Sequence, residues 1–196
     1  MHNFHKDKGV CICRIHDSVK QSGYRLKDGV QVIDTEGYRS NVGIILCNPC
    51  GQLFWARRIG EDAWQFPQGG IQHNESPEQA LYRELEEEVG LKADDVELLG
   101  STHDWLRYQL PAHMRRHSRG NRFIGQKQIW FLLKLTVSEA RVCLSTSTEP
   151  EFDRWRWVSP EVTVNEVIDF KRAVYLRALE ELLPIINCPS LFIAHR

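Results

Sequence analysis

Short apolar runs separated by turn-forming residues dominate the chain from about residue 34 onward. Two of them, Val42–Cys47 and Leu53–Ala56, are joined by Asn-Pro-Cys-Gly, which predicts a β-hairpin. A third run, Trp64–Phe66, is ended by a proline and a glycine pair. The same pattern predicts further strands at Val96–Ser101, Leu106–Leu110, Gln128–Leu135 and Arg154–Val158.

One helix carries start and stop signals at its two ends. Ser76 is a suitable N-cap, Pro77 suits the first helical position, and Gln79 completes a capping box. Gly90 is a typical C-terminal stop. The sequence therefore predicts a helix over Pro77–Val89.

A second helical segment is predicted over about Val164–Leu183, and Pro184 ends it. The apolar residues on its predicted inner face are Val167, Val174, Ala178 and Leu182. Strands that alternate with two helices indicate a mixed α/β domain.

The chain divides into three parts. Residues 1–33 are polar and lack a sustained period, so we interpret them as an extension that the domain does not need. Residues 34–186 form one predicted domain, and residues 187–196 a C-terminal tail. The extension could also reflect an over-long translation start, with the native start near Val30 or Val32.

The cysteines raise a zinc hypothesis. Cys11-x-Cys13 and Cys47-x-x-Cys50 could together supply four thiolates. However, C-x-C is not the usual zinc-knuckle spacing, and the residues around Cys50 are those of a turn. The pattern favours the turn.

Composition narrows the functional classes. A chain of 196 residues fits one domain, and a net charge of −1 argues against bulk adhesion to nucleic acid, so any RNA or polyphosphate site must be local. One local feature is a basic stretch, either a solvated face or a substrate contact: His113, Arg115, Arg116, His117, Arg119 and Arg122.

The apolar runs are far shorter than the roughly 20 residues that span a bilayer, and no signal-peptide core is present, so we expect a cytoplasmic protein without a membrane partner.

The first helix carries the candidate chemistry. Glu84, Glu87 and Glu88 occupy positions i, i+3 and i+4, which places three carboxylates on one stripe. Such like charges destabilise an isolated helix, whereas hard divalent cations between them would offset the repulsion. An adjacent apolar stripe packs the helix down: Leu81, Leu85 and Val89. The alternative for a glutamate-rich helix is a plain solvated face.

The segment Gly69–Leu91 decides between these interpretations. It matches the pattern G-x5-E-x7-R-E-U-x-E-E-x-G-U, in which U is a bulky aliphatic residue, at every specified position. With this unit the sequence resembles the Nudix hydrolases. The resemblance implies an α/β fold, an α/β/α sandwich with a mixed sheet, and divalent-metal-dependent hydrolysis of phosphoanhydrides.

Motifs outside this unit resemble the bacterial RNA 5′-pyrophosphohydrolase branch of that family. They are Tyr38-Arg39-x-Asn41-Val42-Gly43, Trp64-Gln65-Phe66-Pro67-Gln68-Gly69-Gly70, Gly125-Gln126-Lys127-Gln128, Pro150-Glu151-Phe152-Asp153 and Trp155-Arg156-Trp157-Val158. The resemblance covers residues 34–184 and implies removal of pyrophosphate from 5′-triphosphorylated RNA, which leaves a monophosphate end that promotes mRNA decay. Dinucleoside-polyphosphate hydrolases are closely related and remain the alternative. A non-catalytic binding module is remote, because no ligand carboxylate is lost.

Carried over by position, the resemblance implies a bound divalent cation, with Mg²⁺ first and Mn²⁺ second. The implied metal ligands are Glu84, Glu87, Glu88, Glu151 and a backbone carbonyl at Gln68 or Gly69. Glu87 and Glu151 are both candidates for the general base. The implied structural residues of the motif are Gly69, Glu75, Arg83 and Gly90, with Arg83 and Glu75 as an ion pair that holds the loop to the helix.

The resemblance also implies RNA contacts, at Arg39, Arg58, Tyr108, Gln126, Lys127, Ile168, Phe170 and Lys171. Phe170 and Arg58 would sandwich the second base, because stacking is the main device for holding single-stranded RNA. Ile168 and Lys171 would read its edge. The alternative for Phe170 is a core position in the last helix. We expect no DNA partner, and the sequence leaves a regulatory protein partner open.

Truncation tests the interpretation of residues 1–31. A chain that starts at Val32, with an initiator Met, should keep the melting temperature and the RNA hydrolysis rate of the full chain, because the removed segment shows neither hydrophobic period nor complete motif. Calorimetry and rate assays on both chains give the comparison. The zinc hypothesis makes the opposite prediction, namely bound zinc in the full chain and a lower melting temperature after truncation.

Overall fold

The structure, a computed structural model, describes residues 33–118 and 121–186. The strands are β1 Tyr38–Cys47, β2 Leu53–Arg58, β3 Trp64–Gln65, β4 Gln68–Gly70, β5 Val96–Ser101, β6 Leu106–Gln109, β7 Arg116–Ser118, β8 Asn121–Phe123, β9 Gly125–Leu135 and β10 Phe152–Val158. The helices are α1 Pro77–Val89, α2 Pro160–Glu166 and α3 Asp169–Leu182. None of the described helices is long and apolar enough to cross a membrane.

A mixed sheet organises these elements. Its main path is β10-β2-β1-β9-β5, to which β3, β4 and β6 add at the side of β2, β1 and β9 respectively. β1 and β9 pair in parallel along their length, from Tyr38 opposite Gly125 to Cys47 opposite Lys134, and the other pairings are antiparallel. β7 and β8 form a separate two-stranded ribbon.

Both faces of the sheet are covered, which explains why the second part of β1, Val42–Cys47, is a nearly continuous apolar run. On one face, Val42, Ile44 and Leu46 share a core with the apolar side of α1. On the other face, Ile45 and Cys47 share a core with the apolar side of α3. The α/β/α sandwich with a mixed sheet is confirmed.

α1 has the predicted bounds, and its capping chemistry is the one the sequence indicates. The Ser76 hydroxyl accepts from the backbone N–H of Gln79 at 3.1 Å, and the Gln79 side chain accepts from the N–H of Ser76 at 2.9 Å. Gly90 ends the helix with φ of 73°, a left-handed conformation that favours glycine. Local hydrogen bonds therefore fix the N-terminal end of α1, the helix that carries the candidate metal ligands.

The prediction of one helix over Val164–Leu183 is wrong, because the segment forms two helices. α2 starts early, at Pro160 after the N-cap position Ser159, and it ends at Glu166. Val167 is extended, with ψ of 146°, and the chain re-enters a helix at Asp169, an acidic residue that suits the first turn. Val167 is still buried in the core, so its apolar character reflects burial outside a helix.

Other differences lie in the strands. β1 begins at Tyr38 instead of Val42, because its polar start pairs with both β4 and β9. Gln68–Gly70 was predicted only as a strand end but forms β4. Part of the basic stretch forms β7 and β8, for which no strand was predicted. The side chains of Arg116, His117, Arg119 and Arg122 lie outside the described residues.

Some predictions concern parts of the chain that the structure does not describe. The extension, with Cys11 and Cys13, and the tail 187–196 lie outside the described residues and stay predictions. Cys47 is buried in the sheet, whereas Cys50 is exposed in the turn after it. The turn favoured for Asn48–Gly51 is present, with the N–H of Gly51 donating to the carbonyl of Asn48 at 2.9 Å.

Gly43 tests the packing of β1 against β9. A Cβ at this position would lie 2.5 Å from two ring carbons of the buried Trp130, so Gly43→Ala should lower the free energy of unfolding by about 1–3 kcal/mol or more. Urea unfolding measures the change. Gly100→Ala is the matched control, because its Cβ meets only the flexible end of Ile185 and should cost much less. Equal losses for the two variants would contradict this account.

Candidate active site

The glycine pair of β4 allows two charged side chains to reach the same loop. β4 lies antiparallel to β1, with Gly69 opposite Val42 and Gly70 opposite Asn41. A Cβ at Gly69 would collide with the carboxylate of Glu84, and a Cβ at Gly70 would collide with the guanidinium of Arg39. Only glycine leaves room for these groups against the loop backbone.

α1 brings the three predicted carboxylates to this loop at different depths. Glu84 is 3% exposed and Glu88 2% exposed, because both lie next to the apolar stripe that packs onto the sheet. The Glu87 side chain is about a third exposed, at 34%. The helix therefore presents two buried carboxylates and one that solvent reaches.

Arg83 ties the loop to the helix. Its Nε and Nη2 donate to the two carboxylate oxygens of Glu75 at 2.7 and 2.8 Å, and Nη2 also donates to the carbonyl of Gly70 at 2.9 Å. Its Nη1 donates to Glu84 Oε1 at 2.6 Å. These bonds raise the pKa of Arg83, with the Glu75 bond as the largest cause, and the Arg83 bond lowers the pKa of Glu75. The placement agrees with the structural role that the sequence implies for this pair.

The surroundings of Glu88 disfavour the ionised form of its carboxyl group. Its Oε2 accepts from the backbone N–H of Gln68 at 2.9 Å, whereas its Oε1 is buried and receives no hydrogen bond from the described residues. Burial raises its pKa well above the ordinary value, and the neighbouring carboxylates Glu151 and Glu84 raise it further. Buried carboxylates in such proximity need a compensating positive charge.

These residues fit a hard divalent cation, because carboxylate and carbonyl oxygens are its preferred ligands. Glu151 comes from a different part of the chain and is attached to the end of β2, where the N–H of Ile59 donates to its carbonyl at 2.9 Å. Over residues 33–118 and 121–186, no three acidic, His or Cys side chains yet surround a common point. Arg83 holds Glu84, and its Nη1 lies 3.6 Å from Glu87 Oε1, so a cation would bind as these side chains turn toward it.

Arg39 extends the site on the sheet side. Its side chain lies against Gly70, and burial lowers its pKa despite the favourable charges of Glu84 and Glu151. Its Nε is buried and makes no hydrogen bond to the part of the chain described. A half-buried guanidinium with an unused donor is suited to an anionic ligand such as phosphate.

The candidate base-binding residues gather around Tyr108. Its hydroxyl donates to Gln126 Oε1 at 2.7 Å, and its ring centroid lies 5.8 Å from that of Phe170. Lys171 Nζ lies 5.9 Å from the same ring and donates to Gln65 Oε1 at 2.9 Å. Burial, followed by the positive charge of Arg58, lowers the pKa of Lys171 to about 7.

The remaining predicted contacts differ in their placement. Phe170 is half-buried, packed against the α3-side core, while Ile168 just before α3 is exposed. Lys127 follows Gln126 in β9 and therefore points to the opposite face of the sheet. There its Nζ pairs with Asp34 at 2.9 Å and lies 5.1 Å from the ring centroid of Trp105. The structure does not bring Lys127 together with the other predicted RNA contacts.

Sequence reasoning did not single out three buried amide side chains near the loop, Asn41, Gln65 and Gln128. Each is nearly inaccessible to solvent. All three occur in the motifs that resemble the RNA 5′-pyrophosphohydrolase branch, but the resemblance implies no role for them. The available signal was a polar residue that precedes the apolar half of β9, at a point where strand alternation directs it to the buried face.

The α/β/α layers, the glycine pair of β4 and the three carboxylates of α1 are features of the Nudix hydrolases, a class of divalent-metal-dependent enzymes. The chain belongs to the NUDIX domain family, whose sequence model matches residues 37–179.

Curated relatives cover most of the chain. An "RNA pyrophosphohydrolase" of Hahella chejuensis is 56% identical over 155 residues, which is 79% of this chain and 96% of the relative. One of Halorhodospira halophila is 60% identical over 151 residues, covering 77% of this chain and 83% of the relative.

Solved structures show the same fold. The dihydroneopterin triphosphate pyrophosphohydrolase of E. coli superposes with a TM-score of 0.58 at 18% identity, over 72% of this chain and 95% of that one. A C. elegans Ap4A hydrolase in a binary complex gives 0.53 at 18% identity, over 74% and 97%. At these identities the likeness concerns the fold alone.

The acidic helix is tested by neutralising its carboxylates. Glu84→Gln, Glu87→Gln and Glu88→Gln should each remove most turnover but leave the circular dichroism spectrum native, because they remove metal charge and no core packing. For Glu88→Gln, the melting temperature of the metal-free protein should rise, because the variant removes a carboxyl group whose ionised form is disfavoured by burial and by Glu151 and Glu84. Turnover within a few-fold of wild type in a native-like variant would show that the metal assignment is wrong.

Proposed function

We propose that this chain is an RNA 5′-pyrophosphohydrolase, which hydrolyses the 5′-triphosphate end of RNA to a 5′-monophosphate with release of pyrophosphate. The observation that carries the proposal is the juxtaposition of the buried carboxylates Glu84 and Glu88 with the half-buried Arg39, whose buried Nε has no hydrogen-bond partner among the described residues. One side suits a divalent cation and the other suits phosphate oxygens. The relatives named RNA pyrophosphohydrolase support the same assignment.

The metal set of the proposal is Glu84, Glu87, Glu88 and Glu151, with the backbone carbonyl of Gln68 or Gly69. Mg²⁺ is the proposed ion, with Mn²⁺ as a substitute, because both prefer oxygen ligands. A bound divalent cation neutralises phosphate oxygens and makes a bound water a better nucleophile.

The chain itself would supply positioning and proton transfer. Arg39 would hold the phosphate oxygens, and Arg58 would sandwich the second base with Phe170. Arg83 would keep β4 against α1 through Glu75 and Gly70. One carboxylate would accept the proton of the attacking water. Both candidates, Glu87 and Glu151, lie partly exposed, so either is accessible to a water at the mouth of the site.

RNA would be held beyond the triphosphate by stacking. The rings of Tyr108 and Phe170 lie side by side, and Phe170 is only half-buried, which leaves an aromatic surface next to the phosphate-binding residues. Gln126 Oε1 accepts from the hydroxyl of Tyr108, and Lys171 Nζ lies over the same ring, 5.9 Å from its centroid. Base stacking of this kind is the usual way to hold single-stranded RNA. Transcripts as substrates would place the enzyme in the cytoplasm.

The second candidate is hydrolysis of dinucleoside polyphosphates. The C. elegans Ap4A hydrolase supports it through the fold alone, at 18% identity, whereas the relatives at 56–60% identity carry the RNA name. Because both reactions would use the same metal site, the choice between the two substrates depends on the aromatic surface of Phe170 and Tyr108.

A substrate comparison tests the proposal. With Mg²⁺, triphosphorylated RNA oligomers should be hydrolysed faster than diadenosine tetraphosphate or nucleoside triphosphates. Phe170→Ala should slow RNA turnover by about five- to 150-fold, since a stacked base contributes roughly 1–3 kcal/mol, and should affect nucleotides much less.

Leu176→Ala is the matched control, because Leu176 lies on the same helix and is 45% exposed. It should leave both rates unchanged. Equal losses on RNA and nucleotides for Phe170→Ala would identify Phe170 as a packing residue. A faster rate on diadenosine tetraphosphate than on RNA would favour the second candidate.

A further inference from the structure

Three amide side chains, those of Asn41, Gln128 and Gln68, form a hydrogen-bonded row between the centre of the sheet and β4. Gln128 lies in β9 opposite Asn41 of the parallel strand β1. Its Nε2 donates to Asn41 Oδ1 at 2.8 Å and to Gln68 Oε1 at 3.2 Å. Gln128 is 0% exposed and Asn41 2% exposed, so this end of the row is shielded from solvent, whereas Gln68 is half-buried.

The chemistry of the row depends on the amide of Gln128. An NH₂ group has two donors, and here each meets a carbonyl oxygen of another side chain. Inside the protein a hydrogen bond is stronger than in water, and an acceptor that loses its donor is costly. Gln128 therefore fixes the side chain of Gln68 relative to the rigid centre of the sheet.

The row continues through the backbone to a candidate metal ligand. The N–H of Gln68 donates to Glu88 Oε2 at 2.9 Å, and the carbonyl of Gln68 or of Gly69 belongs to the proposed ligand set. Gln68 is thus held by Gln128 through its side-chain oxygen, and it orients the carboxylate of Glu88 through its backbone N–H. Any rotation of Gln68 would displace both the carbonyl and Glu88.

We propose that Gln128 is a positioning residue for the divalent-metal site, which acts through Gln68 to hold the loop carbonyl and Glu88 in ligating geometry. The inference rests on the metal set of the proposed function. Gln128 does not touch the cation or the RNA. Groups that orient metal ligands in this way commonly contribute about 10- to 100-fold to metal affinity or activity.

The test measures metal binding without substrate. Gln128→Met keeps the length of the side chain and removes its hydrogen bonds, and the dissociation constant of Mn²⁺ is measured by electron paramagnetic resonance. It should rise about 10- to 100-fold. In steady-state assays with saturating metal, KM for triphosphorylated RNA should stay within a few-fold of wild type. A rise in KM with unchanged metal affinity would overturn the proposal.

Thr102→Val is the matched control for a purely structural effect. Thr102 is also buried, and its hydroxyl accepts from the N–H of Trp130 at 3.1 Å, two residues from Gln128 in the same strand. The variant loses a buried hydrogen bond but should keep the Mn²⁺ dissociation constant of wild type. If Thr102→Val raises the Mn²⁺ dissociation constant as much as Gln128→Met does, the effect is a general loosening of the structure and the proposal fails.

A double-mutant cycle tests the route through Gln68. Gln68→Ala removes the acceptor of Gln128, so the double variant should bind Mn²⁺ no more weakly than the weaker single variant. Fully additive losses would contradict a shared route. Gln128→Asn, too short to reach both acceptors, replaces Gln128→Met if that variant does not fold, with the same expected rise.

Glu88→Gln separates this inference from the proposed function. If Glu88→Gln weakens Mn²⁺ binding and the folded Gln128 variants do not, only the positioning role of Gln128 is wrong. If Glu88→Gln leaves the dissociation constant unchanged, the metal set itself is wrong.

Discussion

The burial of Glu84 and Glu88 beneath the glycine loop is the constraint on which the site depends. Both carboxylates lie on the core side of α1, where the apolar stripe of the helix packs against the sheet. Taking a carboxylate out of water is costly unless it is paired or coordinated. The neighbouring residues can be understood from how they compensate these two charges.

The compensation differs between the two carboxylates. Glu84 is bonded to Arg83, which is itself anchored on Glu75 and on the carbonyl of Gly70. Glu88 accepts from the N–H of Gln68 and also makes a side-chain hydrogen bond with the carboxyl group of Glu151, which helps to raise its pKa. Glu84 is thus compensated by an arginine, and Glu88 by a backbone N–H on the side of β4 that the amide row supports.

The sequence predicted the parts of the fold that rest on local chemistry. α1 has its predicted bounds because its N-cap, capping box and terminal glycine all act within a few residues. The break at Val167 was missed, because a buried apolar residue in an extended connection has the same sequence character as one on a helix face. Likewise β4 depends on pairing with the distant strand β1, which no local pattern of Gln68–Gly70 reveals.

The site residues also divide into those that follow from local sequence pattern and those that depend on distant parts of the chain. The carboxylate stripe of α1 follows from helical spacing, whereas the contribution of Glu151 and Arg39 came only through the resemblance to a known family. The opposite directions of Gln126 and Lys127 follow from strand alternation once the strand is known, and the pairing of Lys127 with Asp34 required the fold. The role of Gln128 could not be predicted, because it depends on two partners that only the sheet register brings together.

Burial shifts the pKa of Glu88, a proposed metal ligand, and that of Lys171, a proposed RNA contact, in opposite directions. The pKa of Glu88 is raised, so the stability that its protonated form provides is lost as the pH rises through that raised value. The pKa of Lys171 is lowered to about 7, so its neutral form favours folding above its ordinary pKa of 10.5, and this stability is lost as the pH falls toward 7. The two losses run in opposite directions, because that of Glu88 grows as the pH rises and that of Lys171 grows as the pH falls. In the proposed complex, a cation at Glu88 would offset the first loss and an anionic RNA near Lys171 would offset the second.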